Sequence, residues 1–286
     1  MSSNQQKEIL PKQHQDRQPG FEHNMQPLPK TINRHYQGSQ KLAQKSAIIT
    51  GGDSGIGRSV AVHFAKEGAN IAIVYYDEDQ DANDTKKMVE QEGVQCSLFR
   101  GDIAKSNFCS DVVEKVYQEF GKIDILVNNA AMQFPQQDFT KITDEQLERT
   151  FRVNIFSYFY FSRAVLPYLK QGSSIINTSS ITAFKGNKKL IDYSSTKGAI
   201  TTFTKSLAQS VASQGIRVNS VAPGPIWTPL IPASFDENEV AKFGSDTEMA
   251  RPGEPCEVAP AYVYLASEDA SYITGQTIHI NGGTPI

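Results

Sequence analysis

The fold is decided by a glycine-rich turn that reads Thr50-Gly51-Gly52-Asp53-Ser54-Gly55-Ile56-Gly57. The turn follows directly on the apolar run 46–50 and leads into a segment with helical periodicity, 56–67. Glycines let a turn adopt positive φ and let backbone amides approach a pyrophosphate closely, and the N-terminus of the next helix favours negative charge. The turn therefore predicts a strand–turn–helix unit that binds a dinucleotide, in preference to a plain tight turn.

The spacing of the glycines narrows this prediction. Three residues separate Gly51 from Gly55, more than the common dinucleotide fingerprint allows between its first two glycines. Neither Lys-Ser nor Lys-Thr follows Gly57, which excludes the phosphate-binding loop of nucleotide-hydrolysing enzymes.

Short apolar runs alternate with helical segments beyond the turn. The runs predict seven strands, at 46–50, 70–75, 95–100, 123–127, 173–178, 216–221 and 277–280. Helical periodicity marks 56–67, 79–92, 106–120, 144–170, 193–213 and 255–267, and Thr143 is the predicted N-cap of the fourth segment. Continuous apolar strands that alternate with helices indicate parallel β–α–β units covered on both faces. We therefore expect one α/β domain over 46–286, with a Rossmann-type doubly wound sheet of seven parallel strands.

Residues 1–45 differ from the rest in composition. They hold nine glutamines, four prolines and only ten hydrophobic residues, with seven basic against three acidic side chains. Since the whole chain carries −3, the remaining 241 residues carry −7. A segment this polar buries too little apolar surface to offset its own ordering entropy. It is either a disordered tail or an arm laid over its own body or a neighbouring subunit, with 9–11, Phe21 and 28–29 as predicted anchors.

The composition also excludes several classes of protein. The longest apolar stretches, such as 71–76, fall far short of the ~20 residues of a membrane span, and 1–6 show no apolar signal region. The charge is too close to neutral to favour nucleic acid. Three widely spaced cysteines, and arm histidines without ligand spacing, argue against disulfides and metal sites and for a reducing cytoplasm.

Four further motifs follow the glycine turn in order. Asn128-Asn129-Ala130-Ala131 follows the fourth predicted strand, Ser180 lies thirteen residues before Tyr193, Tyr193 begins a Tyr-x-x-x-Lys motif that ends at Lys197, and 223–224 is a Pro-Gly pair. From about residue 46 onward the chain resembles the short-chain dehydrogenase/reductase family, in particular a bacterial branch of general stress and glucose-dehydrogenase-like proteins. The resemblance implies an NAD(P)-dependent oxidoreductase that interconverts an alcohol and a carbonyl. An NAD(P)-binding regulatory protein that kept the fold without the chemistry is the alternative.

The chemistry of the Tyr-x-x-x-Lys motif agrees with the resemblance. Tyr193 and Lys197 are four residues apart on a predicted helix, so their side chains share one face. An ammonium beside a phenol is expected to lower the phenol pKa from about 10, so that Tyr193 serves as general base or acid. Ser180 would hydrogen-bond the same substrate oxygen, and the resemblance implies that Asn154, in the fourth helix, holds a water of the proton relay.

The resemblance also implies the residues of the cofactor site. NAD-specific relatives place an acid at the tip of the second strand, where this chain has Tyr75, with Asp77 two places late. Ser54, rather than a cation, precedes Gly55, and Arg58 is expected to face solvent in preference to reaching a 2′-phosphate. The acidic run 77–79 would place like charge beside such a phosphate. We therefore expect NAD, with NADP left open. The implied set comprises Gly51, Asp53, Ser54, Gly55, Ile56, Gly57, Tyr75, Asp77, Asp102, Ile103, Asn129, Ala130, Thr178, Tyr193, Lys197, Pro223, Gly224, Ile226 and Thr228.

The substrate is not readable from the sequence. The irregular segment 229–252 is typical of either a lid over a small-molecule site or a plain surface excursion. Residues that could line the pocket are Thr182, Phe184, Lys185, Asn187 and Trp227. The family usually forms dimers or tetramers, and the surplus of apolar side chains on 144–170 predicts a homotetramer.

Overall fold

A computed structural model describes residues 7–286, and the segment 1–6 lies outside the described residues. Its centre is a sheet of seven parallel strands in the order β3-β2-β1-β4-β5-β6-β7. The strands are β1 Ser46–Thr50, β2 Asn70–Tyr75, β3 Cys96–Arg100, β4 Ile125–Asn128, β5 Ser174–Thr178, β6 Arg217–Pro223 and β7 Thr277–Ile280. The predicted Rossmann-type doubly wound sheet is confirmed.

Helices cover both faces of this sheet. They are α1 Gly55–Lys66, α2 Asp79–Glu90, α3 Ser106–Phe120, α4 Asp144–Phe151, α5 Ser157–Val165, α6 Thr182–Lys185, α7 Ile191–Val211, α8 Glu237–Lys242 and α9 Pro255–Ala266. Side chains of α1, α2 and α9 form one core, whereas those of α3, α5 and α7 form the other. Along β1, Ala47 and Ile49 enter the first core and Ile48 enters the second. This two-sided burial explains why the strands are continuously apolar.

The predicted helix 144–170 is not continuous. Thr143 caps α4 as expected, since its hydroxyl accepts from the amide of Gln146 at 3.2 Å. A π-helical turn, Arg152–Phe156, then separates α4 from α5. Asn154, at the middle of this turn, hydrogen-bonds both backbone groups of Met132, each at 2.8 Å. A tertiary contact therefore accompanies a local irregularity that helical periodicity alone does not reveal.

The polar arm, as far as it is described, runs over the body. Its most deeply buried apolar side chains are Met25 and Leu42. Of the predicted anchors, Pro29 is buried and Leu10 packs into the cluster of Met25, whereas Ile9 and Leu28 are 39% and 58% exposed. Met25 packs against the indole of Trp227, and the indole nitrogen donates to the carbonyl of Pro27 at 2.9 Å. Ion pairs of Arg17 with Asp77 and of Lys41 with Asp269 also join the arm to the body.

Residues 7–286 contain neither a membrane-spanning helix nor a metal-binding cluster. No helix in that range combines the length and the apolar composition of a membrane span. The same range holds no cluster of three or more His, Cys, Asp or Glu side chains that could bind a metal ion.

Candidate active site

A cleft of about 1010 Å³ opens at the carboxyl ends of the strands. It lies where the strand order reverses between β1 and β4, the position at which doubly wound sheets bind their ligands. Of the predicted cofactor and catalytic residues, all but Gly57, Asp77 and Asn154 line it. Gln133 and Arg149 also line it, together with Pro19 and Gly20 of the arm, and sequence reasoning missed these four. Glu78, a member of the acidic run 77–79, lines it as well.

The glycines of the first turn are required by its geometry. Gly51 and Gly55 have positive φ, at +62° and +52°, which other residues rarely adopt. A Cβ on Gly57 would lie 1.8 Å from the carbonyl oxygen of Gly51. Gly57 therefore stands behind the cleft and permits the close packing of α1 against the turn, whereas its neighbours face the cleft.

Asn129 fastens the turn to the neighbouring strands. Its backbone amide donates to the hydroxyl of Thr50 at 2.9 Å and its side-chain nitrogen donates to the Thr50 carbonyl at 3.1 Å. The hydroxyl of Thr178 donates to the side-chain oxygen of Asn129 at 3.3 Å. The ends of β1, β4 and β5 are thus held together by one amide side chain.

Ser180, Tyr193 and Lys197 converge in the cleft. Ser180 follows the end of β5, and the other two residues lie one turn apart on α7. The Lys197 ammonium nitrogen lies 5.4 Å from the centre of the Tyr193 ring and donates to the carbonyl of Thr178 at 2.8 Å. These side chains are almost fully buried, so they are held in place by the surrounding protein.

Burial shifts both titratable groups of this trio. It raises the pKa of Tyr193 to about 12, and the Ser180 hydroxyl lowers it only in part. Burial also lowers the pKa of Lys197 to about 7. Burial dominates both shifts, and the Lys197 amine is turned to the carbonyl of Thr178. The expectation that a protonated Lys197 depresses the pKa of Tyr193 stays a prediction.

Asn154 lies behind the trio. Its side-chain amide pairs with the N–H and the carbonyl of Met132, and its nitrogen also donates to the hydroxyl of Thr196 at 3.2 Å. It is fully buried and does not line the cleft. Its contacts are those of a residue that holds the loop after β4 against α7.

The far end of the cleft, beyond β2, is acidic. The carboxylate of Glu78 accepts from the amide of Asp77 at 3.0 Å, and its other oxygen is buried with no partner among the described residues. Burial raises the pKa of Glu78 to about 7 and that of Asp53 to about 6. Asp77 itself lies outside the lining, in an ion pair with Arg17 of the arm. The only sequence signal for Glu78 is its place in the acidic run 77–79.

Asp102 and Arg149 form the side wall of this end. The Arg149 guanidinium contacts both carboxylate oxygens of Asp102, at 2.9 and 3.1 Å. One of these oxygens also accepts from the amide of Ala104 at 3.0 Å, so Asp102 caps the turn after β3 as well.

The prediction that Arg58 faces solvent is wrong. Its guanidinium is buried behind the glycine turn and contacts the carboxylates of Glu22, at 2.5 Å, and Asp81, at 3.3 Å. The Arg58 Nε donates to the hydroxyl of Thr85 at 2.8 Å. A buried guanidinium needs paired acceptors, and the nearest one comes from the arm.

The substrate end of the cleft is bordered by α6 and by 229–252. Thr182, Lys185 and Asn187 line it as predicted. Phe184 and Trp227 do not, because Phe184 packs edge-on against His279, with ring centres 4.6 Å apart, and Trp227 is buried beneath the arm. The segment 229–252 contains α8 and contributes Leu230, Phe235 and Glu239 to the lining.

Comparison with known proteins agrees with this geometry. Residues 51–285 match the family model described as enoyl-(acyl carrier protein) reductase. The chain is 64% identical to the oxidoreductase YhxC of Bacillus subtilis over 99% of this chain and 98% of the relative. It is 58% identical to general stress protein 39 of the same organism, over 96% of each, and 51% identical to the glucose and ribitol dehydrogenase of Daucus carota, also over 96% of each.

Solved structures superpose closely. A short chain dehydrogenase from Burkholderia cenocepacia in complex with NADP has a TM-score of 0.80 at 28% identity, covering 85% of this chain and 98% of the other. A 3-ketoacyl-(acyl-carrier-protein) reductase from Brucella melitensis complexed with NADH has a TM-score of 0.79 at 32% identity, covering 86% and 100%.

The buried amine of Lys197 should make stability depend on pH. Because its pKa falls from 10.5 to about 7 on folding, the unfolded chain binds the proton more tightly, and the folded state loses stability as pH falls across that interval. Lys197→Met removes the amine, and Thr178 keeps the hydrogen bond of Tyr158. The free energy of unfolding of the variant should therefore exceed that of the parent, and the margin should be larger at pH 7 than at pH 9.

Urea unfolding at the two pH values measures this difference. The matched control is Lys205→Met, on the exposed side of the same helix. A margin between Lys197→Met and the parent that does not change with pH would contradict the assignment.

Proposed function

We propose that this chain, which belongs to the short-chain dehydrogenase/reductase family, interconverts an alcohol and a carbonyl with Tyr193 as its general acid and base. As a member of the family it is an oxidoreductase that uses a nicotinamide cofactor and acts on CH–OH or carbonyl groups. The observation that carries the assignment of roles is the convergence of Ser180, Tyr193 and Lys197 in one buried part of the cleft.

The residues of this trio have separate roles. A pKa of about 12 keeps Tyr193 protonated at neutral pH, ready to donate its phenolic proton to a carbonyl oxygen. The Ser180 hydroxyl is placed to donate a hydrogen bond to the same oxygen as its charge changes. Lys197, when protonated, stabilises the phenolate that Tyr193 leaves behind. In the oxidative direction Tyr193 must first lose its proton, which alkaline pH favours.

The cleft fits a nicotinamide dinucleotide. Positive φ at Gly51 and Gly55 brings the backbone of the turn to the cleft wall, where Ile56 and Ser54 would hold the pyrophosphate. Ile226 and Thr228 line the opposite side, where they would hold the carboxamide. When bound, the nicotinamide supplies the carbon that accepts or delivers the hydride.

The preferred cofactor in this proposal is NAD. Glu78 and Asp53 line the end of the cleft beyond β2, where carboxyl groups suit ribose hydroxyls and repel a 2′-phosphate. Among the similar structures one holds NADP and another NADH, so the choice depends on the residues of this chain.

A small hydroxylated alcohol or aldehyde fits the other end best. Gln133, Thr182 and Asn187 offer hydrogen-bonding groups there, and Lys185 and Glu239 offer charges. One relative is named a glucose and ribitol dehydrogenase and another an NADPH-dependent aldehyde reductase. Glucose, ribitol and short aldehydes therefore form the first substrate panel.

The proposed setting is the cytoplasm. All three cysteines are buried and unpaired, which supports a reducing compartment. The proposed partners are a small-molecule substrate and copies of the same chain.

Replacing Tyr193 by Phe removes the acid and base with little change of shape. We expect turnover of any panel substrate to fall at least about 1,000-fold, within the range of general acid–base catalysis. Fluorescence titration should give an unchanged affinity for reduced cofactor, which serves as the control for folding. Turnover that survives in Tyr193→Phe would refute the assigned mechanism.

Replacing Glu78 by Gln should weaken the preference for NAD. Without a carboxylate to repel the 2′-phosphate, the ratio of kcat/KM for NAD to that for NADP should fall about tenfold. In the parent the ratio should also fall as pH drops through about 7, where Glu78 becomes protonated. The control is Glu90→Gln at the far, exposed end of α2. An equal ratio in both variants would remove Glu78 from cofactor selection.

An exposed aromatic face formed by the π-helical turn, α5 and α7 supports a homotetramer. Phe156 and Phe159 are 39% and 51% exposed, and the ring of Phe159 lies 4.4 Å from that of Phe203. Of the apolar residues predicted to supply this surface, Val153, Phe161 and Val165 are instead buried in the core. Light scattering at micromolar concentration should give four times 31.6 kDa, and Phe159→Glu a smaller mass. A monomeric parent would contradict this proposal.

A further inference from the structure

Three glutamines of the arm use their amides in the same way. Each side-chain amide donates to the carbonyl and accepts from the N–H of one other residue. Gln13 pairs with Gln26, Gln15 with Phe21, and Gln18 with Gln133. The first two pairs fold the arm on itself, whereas the third joins the arm to the cleft.

The partner of Gln18 lies at the substrate end. Gln133 lines the cleft and is 4% exposed. Its carbonyl accepts from Gln18 at 2.5 Å and its amide donates to Gln18 at 3.1 Å. The preceding residue, Met132, is held in the same two-bond manner by Asn154. Two consecutive residues of the loop after β4 are thus fixed from opposite sides, one from the core and one from the arm.

Gln18 also reaches the segment 229–252. Its amide nitrogen lies 3.3 Å from the carbonyl of Ala233. Gly20 presses on the same segment, since a Cβ there would lie 2.6 Å from the carbonyl oxygen of Pro229. Pro19 and Gly20 line the cleft directly. One short stretch of arm therefore connects the two loops that border the substrate end.

Charged contacts fix the arm on either side of this stretch. Arg17 pairs with Asp77 beyond β2 and donates through Nε to the carbonyl of Pro19 at 2.7 Å. The Glu22 carboxylate accepts from the amide of Gly55 at 2.5 Å and pairs with the buried Arg58. These flanking contacts fix the position of Gln18 against the body of the protein.

We propose that Gln18 is a positioning residue for the substrate, which acts through Gln133 and Ala233, and that the arm is therefore part of the active site. Without its amide, the nearly buried N–H of Gln133 loses its partner and the Gln133 carbonyl keeps only the long hydrogen bond from the Ser234 hydroxyl, at 3.5 Å. The loop then shifts toward groups that satisfy this N–H and carbonyl. The link to substrate rests on the proposed function, whereas the effect on the loop does not.

Gln18→Met tests the proposal, because methionine keeps the length of the side chain and removes its two hydrogen bonds with Gln133 and its contact with Ala233. Gln13→Met and Gln15→Met are matched controls, since each removes an equivalent pair inside the arm. Kinetics with the panel substrate that the parent turns over fastest should show a rise in substrate KM of about tenfold for Gln18→Met alone. We expect kcat to fall less than about threefold and the cofactor affinity to stay constant.

Hydrogen exchange gives a readout that does not need turnover. The amides of 131–136 should exchange faster in Gln18→Met than in either control. Gly20→Ala, which forces the arm away from 229–252, should reproduce both effects if Gln18→Met does not fold.

The outcomes separate the two proposals. Equal KM values and equal exchange in the three Gln→Met variants would overturn the role of Gln18. Faster exchange at 131–136 without any effect on KM would also overturn it, since the loop would then move without consequence for substrate. A chain that turns over no panel substrate but shows the selective exchange would contradict the proposed function and leave the contact of arm and loop established.

Discussion

The hydrogen bonds that Asn129 makes with Thr50 and Thr178 are the constraint on which the site depends. At the reversal of strand order the connections leave β1 and β4 in opposite directions, so no loop fills the gap between the strand ends. One amide side chain fills it instead and sets the spacing between the glycine turn and the end of β5. The carbonyl of Thr178, fixed in this way, is also the acceptor of Lys197. The same side chain, Asn129, therefore positions both the glycine turn of the cofactor site and the backbone carbonyl that binds Lys197.

Apolar periodicity and the order of the motifs predicted those features of the fold that depend on residues close together in the sequence. The bounds of β1, β2 and β7 are those that the apolar runs predicted, because strands covered on both faces must be apolar throughout. The prediction was wrong where contacts across the fold decide the outcome. The π-helical turn around Asn154 accompanies a contact with Met132, and Trp227 lies under the arm rather than in the pocket. In neither case does the sequence around the residue indicate which distant residue it contacts.

Arg58 shows most directly why the partner matters. Seen along the chain it is a cation near a helix start, which is typical of solvent exposure. In the fold it is buried against Glu22 and Asp81, and removal of one partner from a buried pair costs about 3–5 kcal/mol. Since Glu22 lies in a segment of quite different composition, the boundary at residue 45 separates two compositions but not two independent structures. The body and the arm each supply a charge that the other needs.

The composition of the arm then has a physical explanation. A glutamine side chain loses about 1.5–2 kcal/mol of rotamer entropy when it is ordered, and a typical hydrogen bond contributes about 1 kcal/mol net, so a two-bond pair roughly offsets its own cost. Glutamine pairs alone would therefore leave the backbone ordering cost, about 1–2 kcal/mol per residue, without an offset, as the low apolar content of the segment predicts. The surplus comes from a few buried groups, Met25, Leu42 and Glu22, which the overall percentages hide. With those groups in place, glutamine serves because its amide carries both a donor and an acceptor and can pair with backbone where no strand is available.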